Sequence, residues 1–112
     1  MLFRRTSSLT PDEAAAALRR GELQLVDVRE PRELAEVRVE GARHIPLAQL
    51  PARLGELDRG RPVAFLCRSG SRSAIATRAA ARAGLDAANV RGGIAAWTRA
   101  GVPLTQHHGG LA

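Results

Sequence analysis

The chain has one cysteine, no lysine and three aromatic residues, and each scarcity closes off a class of function. A lone Cys67 cannot form an internal disulfide, so nothing calls for an oxidising compartment. Phe3, Phe65 and Trp97 are too few and too scattered to build a base-stacking surface. The net charge of +6 comes from 17 arginines spread along the whole chain. It therefore suits an anionic small substrate or an acidic partner better than a nucleic acid. No run approaches the roughly 18 apolar residues of a membrane-spanning helix. The pair Arg4-Arg5 is followed by Thr10-Pro11-Asp12-Glu13 rather than by the apolar stretch of an export signal, so a cytoplasmic protein is expected. The lack of lysine has no site-level explanation, and a compositional bias of the source genome is the simplest one.

What is present fits one domain with a modest core: 112 residues, 45% hydrophobic and 25% charged. The domain is expected over residues 7–104, with mobile arms at 1–6 and 105–112. Thr10, Pro11 and Glu13 form a capping-box start for a helix that runs through Leu18 and stops at Gly21. Leu23–Val28 reads as a buried strand and Pro31–Val37 as a short helix. Ala42–Pro46 holds a brief strand ended by its proline. Apolar residues at 50, 54 and 57 give helical spacing over Leu50–Leu57. Val63–Leu66 is an unbroken apolar strand, Ser73–Gly84 an Ala-rich helix, Ala88–Val90 a last strand and Ile94–Arg99 a last helix. Alternating strands and helices in so short a chain predict an α/β fold, a parallel sheet with helices on both faces, whose ligands bind at the carboxyl ends of the strands.

Cys67 stands at such an end, where Pro62–Leu66 gives way to Arg68-Ser69-Gly70-Ser71-Arg72-Ser73 and then to a helix. The first N–H groups of a helix lack internal partners and carry partial positive charge. Gly70 permits a sharp turn, and Arg68 and Arg72 add full positive charges. Such surroundings favour a thiolate and a bound anion. Each hydrogen bond to a charged group contributes about 1.5–3 kcal/mol, against about 1.4 kcal/mol per pKa unit. Burial against the strand acts the other way. The donors are expected to win, holding Cys67 below the free-thiol value of about 8.5. The bland alternative is a packed thiol that only fills space.

The Cys67–Ser73 loop resembles the active-site loop of the rhodanese family. Two further stretches resemble that family in the same order: Leu25–Glu33, with Asp27-Val28-Arg29 followed by a glutamate, and Arg91–Trp97, with Gly92-Gly93 and Trp97, continuing to Gly101-Val102-Pro103. The resemblance implies a single rhodanese-like domain with a five-stranded, mainly parallel sheet, and a sulfurtransferase with no cofactor and no metal. Cys67 would be the nucleophile, becoming a persulfide. Arg68 and Arg72 would orient an anionic donor such as thiosulfate. Ser69, Gly70, Ser71 and Ser73 would shape the substrate cradle, Ser73 also as a helix cap. Asp27 and Arg29 would brace the site. The acceptor would be a thiol, cyanide or a sulfur-carrier protein, with no nucleic acid or membrane involved. The chain departs from the family at Val37-Arg38, where Gly-His is common, and at Leu34, where an aromatic is usual.

Two rival functions belong to other classes. Phosphatases and arsenate reductases of the same fold place five residues between cysteine and arginine, whereas only Arg68, Ser69, Gly70 and Ser71 separate Cys67 from Arg72. Non-enzymatic rhodanese-like binding modules have lost the cysteine that this chain keeps. His44 is expected to be structural, Trp97 to plug the last helix onto the sheet, and His107-His108 to make no metal site.

Overall fold

Strand residues that alternate between two buried faces organise the computed structural model, which describes residues 7–106. Strands β1 (Ser7–Leu9), β2 (Gln24–Asp27), β4 (Arg43–His44), β5 (Val63–Leu66) and β6 (Ala87–Val90) form a parallel sheet in the order β1-β6-β5-β2-β4. Leu25, Ala64, Leu66, Ala88 and Val90 face α1 (Pro11–Arg19) and α5 (Gly93–Arg99), together with Trp97. Val26, Val63, Phe65, Cys67 and Ala87 face α4 (Ser71–Arg82) and α3 (Leu50–Arg53), together with Ala76, Ala80 and Leu50. Phe65 and Trp97 are almost fully buried, each burial stabilising the fold by about 2–3 kcal/mol. The expected parallel sheet with helices on both faces is thus observed.

Local signals explain the helix ends. The Thr10 hydroxyl accepts from Glu13 N at 3.1 Å while Thr10 N donates to the Glu13 carboxylate at 2.9 Å, completing the capping box. Helix α1 ends at Gly21 (φ 71°), with Gly21 N bonded to Leu18 O and Glu22 N to Ala17 O. Helix α4 ends the same way at Gly84, with Gly84 N bonded to Ala81 O and Leu85 N to Ala80 O.

The structure corrects several boundaries. The helix expected over Pro31–Val37 stops at Leu34 (α2, Pro31–Leu34), because Val37 is drawn into a two-residue strand β3 (Val37–Arg38). That strand pairs antiparallel with β7 (Thr105–Gln106), so two residues assigned to the C-terminal arm take part in the fold. Leu50–Leu57 divides into α3 and a 3-10 turn at Leu54–Glu56. Helix α4 begins at Ser71, two residues early, because Gly70 caps it in the left-handed region (φ 111°) and its carbonyl accepts from Ala74 N at 3.1 Å. The arm at 1–6 and the pair His107-His108 lie outside the described residues.

Candidate active site

Because β5 alternates, Cys67 at its carboxyl end points to the α4 side and is fully buried. Its Sγ accepts from Gly70 N at 3.1 Å and lies 3.3 Å from the Ser73 hydroxyl. Burial pushes the thiol up. The Ser73 hydroxyl and the backbone N–H groups of Ser73, Gly70 and Ser69 act against it, and the net shift is downward. The direction is the one expected, and it comes from the short-range donors: the Ser73 hydroxyl and the backbone N–H groups of the loop.

The loop is held in place from the side. Ile94 N donates to Cys67 O at 2.8 Å and Ala95 N to Arg68 O at 3.1 Å, so the start of α5 closes onto the cysteine strand end. Contact this close requires glycine at 93: a Cβ there would lie 2.4 Å from Cys67 O and 2.6 Å from Arg68 C, at φ 60°. The second glycine of the Gly92-Gly93 pair thus serves the loop. Asn89 on β6 adds a tie, with Nδ2 donating to Gly70 O at 3.3 Å and Oδ1 accepting from Ser73 Oγ at 2.5 Å.

Arg72 has a carboxylate partner. Its guanidinium makes a bidentate pair with Glu33 of α2, at 2.7 and 2.9 Å. A fork held by a carboxylate is a strut between α4 and α2, so a donor anion at Arg72 would share the guanidinium with Glu33. Arg68, by contrast, is exposed and makes no ion pair among the described residues. It lines a cavity of about 130 Å³ with Arg29, Glu33, Glu36, Val37 and Ile94. A larger cavity, about 210 Å³, includes Asp27, Arg38 and His44 but no residue of the cysteine loop. Ser69 and Ser71 are exposed, while Ser73 is buried in the first turn of α4 rather than capping it.

Asp27 and Arg29 pair with each other and make no hydrogen bond to the sulfur. Both are buried, and Arg29 Nε and Nη2 grip the Asp27 carboxylate at 2.8–3.1 Å. The same guanidinium donates to Val37 O at 2.9 Å and Glu33 O at 3.3 Å, fixing the segment that presents Glu33 to Arg72. His44 Nε2 lies 2.6 Å from Arg29 O; a carbonyl only accepts, so the imidazole carries its proton there, in the structural role expected. Trp97 is buried as expected, its Nε1 donating to Pro103 O at 3.2 Å.

Arg72 Nη hydrogen bonding holds the Glu33 carboxyl down to about 2 against the opposing effect of burial. Its folded value lies below the unfolded value of about 4.3, so the pair's contribution is complete above about pH 5 and is lost as pH falls toward 2. Urea unfolding of Glu33→Gln against the parent protein should therefore show a stability difference that is flat from about pH 7 to 5 and shrinks to nothing near pH 2. A difference that stays constant over the acid range would remove Glu33 as the partner.

Sequence reasoning missed two members of the site. Glu33 was noted only as part of a motif, and its partner 39 residues away has no sequence signal. Asn89 had one: it is the single polar residue in the strand Ala87-Ala88-Asn89-Val90, and alternation puts it on the Cys67 face.

A family model described as Rhodanese-like domain matches residues 10–100. A protein of Allochromatium vinosum named sulfurtransferase is 38% identical over 86 residues, 76% of this chain and 80% of that protein. A rhodanese-related protein of Thermoplasma volcanium superposes with a TM-score of 0.82 at 29% identity, covering 88% of this chain and 97% of that one. A thiosulfate sulfurtransferase of Pseudomonas aeruginosa gives a TM-score of 0.82 at 31% identity, covering 92% of this chain but 21% of that larger one. No helix among the described residues is long and apolar enough to cross a membrane, and no cluster of potential metal ligands is found among them.

Proposed function

Since the chain belongs to the rhodanese-like domain family, we propose that it is a sulfurtransferase that carries a sulfane sulfur on Cys67. The observation that supports this most is the hydrogen-bonded cradle around a thiol held below its ordinary value. The Cys67 thiolate attacks the outer sulfur of thiosulfate, forming one S–S bond. The S–S bond of thiosulfate breaks, and sulfite leaves with its electron pair. The persulfide anion left on Cys67 keeps a single negative charge, which the loop N–H groups stabilise without moving. An acceptor thiolate then attacks the terminal sulfur and returns Cys67 to its thiolate; cyanide in the same role yields thiocyanate.

Arg68 is the group assigned to recruiting the donor, since it is the unpaired guanidinium on the loop. Cys67 has no solvent-exposed surface, so the rim must open to admit either reactant. Thiosulfate or a similar anion is the proposed donor; a low-molecular-weight thiol or a sulfur-carrier protein is the proposed acceptor. A reducing cytoplasm is the proposed compartment, where a lone thiolate escapes oxidation. Sulfur transfer is preferred to phosphate chemistry because the loop is one residue shorter than a phosphatase loop and its arginine is held by Glu33.

Intact-mass spectrometry of the purified protein after exposure to thiosulfate provides the test. A gain of one sulfur atom, removed by cyanide, is expected. An unmodified mass, with the thiol still free to titrate, would overturn the proposal.

A further inference from the structure

One proton in this site faces two acceptors. The Ser73 hydroxyl lies 2.5 Å from Asn89 Oδ1 and 3.3 Å from Cys67 Sγ, and it can donate to only one of them at a time. The orientation of the Asn89 amide follows from chemistry: Gly70 O, at 3.3 Å, only accepts, so the NH₂ group faces it and the carbonyl oxygen faces Ser73. The shorter contact keeps the proton on Asn89 while the sulfur is a neutral thiol. A charged sulfur is the stronger attraction and turns the hydroxyl toward itself.

We propose that Asn89 is a positioning residue that competes with Cys67 Sγ for the single Ser73 proton, holding it while the sulfur is neutral and releasing it when the sulfur is charged. Asn89 touches neither the sulfur nor, in the proposed reaction, the substrate. In that cycle the proton swings to Sγ in the resting thiolate. It returns to Asn89 once the negative charge has moved to the outer sulfur of the persulfide. No bond to sulfur forms or breaks in the swing, and no proton leaves Ser73.

The surroundings leave this proton well isolated. The guanidinium of Arg72 on α4, which bears a charge near the sulfur, is itself gripped by Glu33 of α2. The cluster that Cys67 shares with β2, α3 and α4 supplies Val28, Leu50 and Ala76, which carry no charge. Beside the backbone N–H groups of the loop, the Ser73 hydroxyl is the side-chain donor to the sulfur, and Asn89 is its other acceptor.

The experiment is a titration of the thiolate by its ultraviolet absorbance, with Cys67→Ala as the blank. One cysteine and no tyrosine make that signal unambiguous. Asn89→Leu matches the amide in size, excludes water and removes the competing acceptor. It should raise the thiolate fraction at a fixed pH below the midpoint by about three-fold or more, lowering the midpoint. Ser73→Ala should raise the midpoint, and Asn89→Leu added to Ser73→Ala should change nothing further. Asn89→Ala serves in the same comparison if the leucine variant does not fold. A midpoint that rises or stays still in Asn89→Leu would overturn the proposal, since loss of the Gly70 tie would then be the whole effect. A fall that persists without the Ser73 hydroxyl would overturn it too. The inference rests on Cys67 acting as the nucleophile, but the titration needs no sulfur donor. It can fail while sulfur transfer is observed, and succeed where transfer is absent.

Discussion

Cys67→Ser should abolish thiocyanate formation from thiosulfate and cyanide, a loss of about 10³-fold or more, while leaving the fold in place. A hydroxyl can neither form a persulfide nor ionise at neutral pH, so the route has no substitute nucleophile in a chain with one cysteine. The same serine keeps the donors from Gly70 and Ser73 occupied and is only slightly smaller, so the stability change should stay within about 1–2 kcal/mol. Circular dichroism and urea unfolding establish that the variant is folded before its activity is read. A folded serine variant that still transfers sulfur would end the proposed mechanism.

The second large effect is on stability. Asp27→Ala should lower the unfolding free energy by about 3–5 kcal/mol, because it strands the buried Arg29 guanidinium. Against a total of about 5–15 kcal/mol for a single domain, this is a major loss, visible as a fall in Tm of more than about 10 °C. The double variant Asp27→Ala with Arg29→Ala should lose less than the sum of the two single changes, since neither charge is then left alone. Urea unfolding of the four proteins gives the coupling. A loss under about 1 kcal/mol for Asp27→Ala would mean that the pair does not hold the site as described.

The main strands and helices of the fold, and its central residue, could be read from the chain because their signals are local. Pro62–Leu66 is apolar throughout, Thr10-Pro11-Asp12-Glu13 caps a helix within four residues, and a glycine follows the end of α1 and of α4. Cys67 could be placed at a strand end by the same patterning. Strands β1, β3 and β7 escaped because two or three residues, partly polar, carry no period; they exist through pairing with distant segments. The Arg72–Glu33 pair was illegible for a related reason. A guanidinium takes the nearest carboxylate in space, and Glu33 is near only once β2 and β5 lie side by side. Arg68 and Arg72 look alike in sequence, yet one is held by Glu33 and the other is open to solvent.

The small ribbon of β3 and β7 makes the two sides of the described chain unequal as points of attachment. Strand β1 lies on the far edge of the main sheet, pairing along Ala88–Val90 of β6 and not with the ribbon. Strand β7 is held against Val37–Arg38, and the Val37 carbonyl belongs to the brace around Arg29 that borders the Arg68 cavity. A reporter, immobilising tag or second module joined after Gln106 would thus leave the fold beside the mouth that reactants must use. One joined ahead of Ser7 would meet the main sheet at its β1 edge, which the β3–β7 ribbon does not touch.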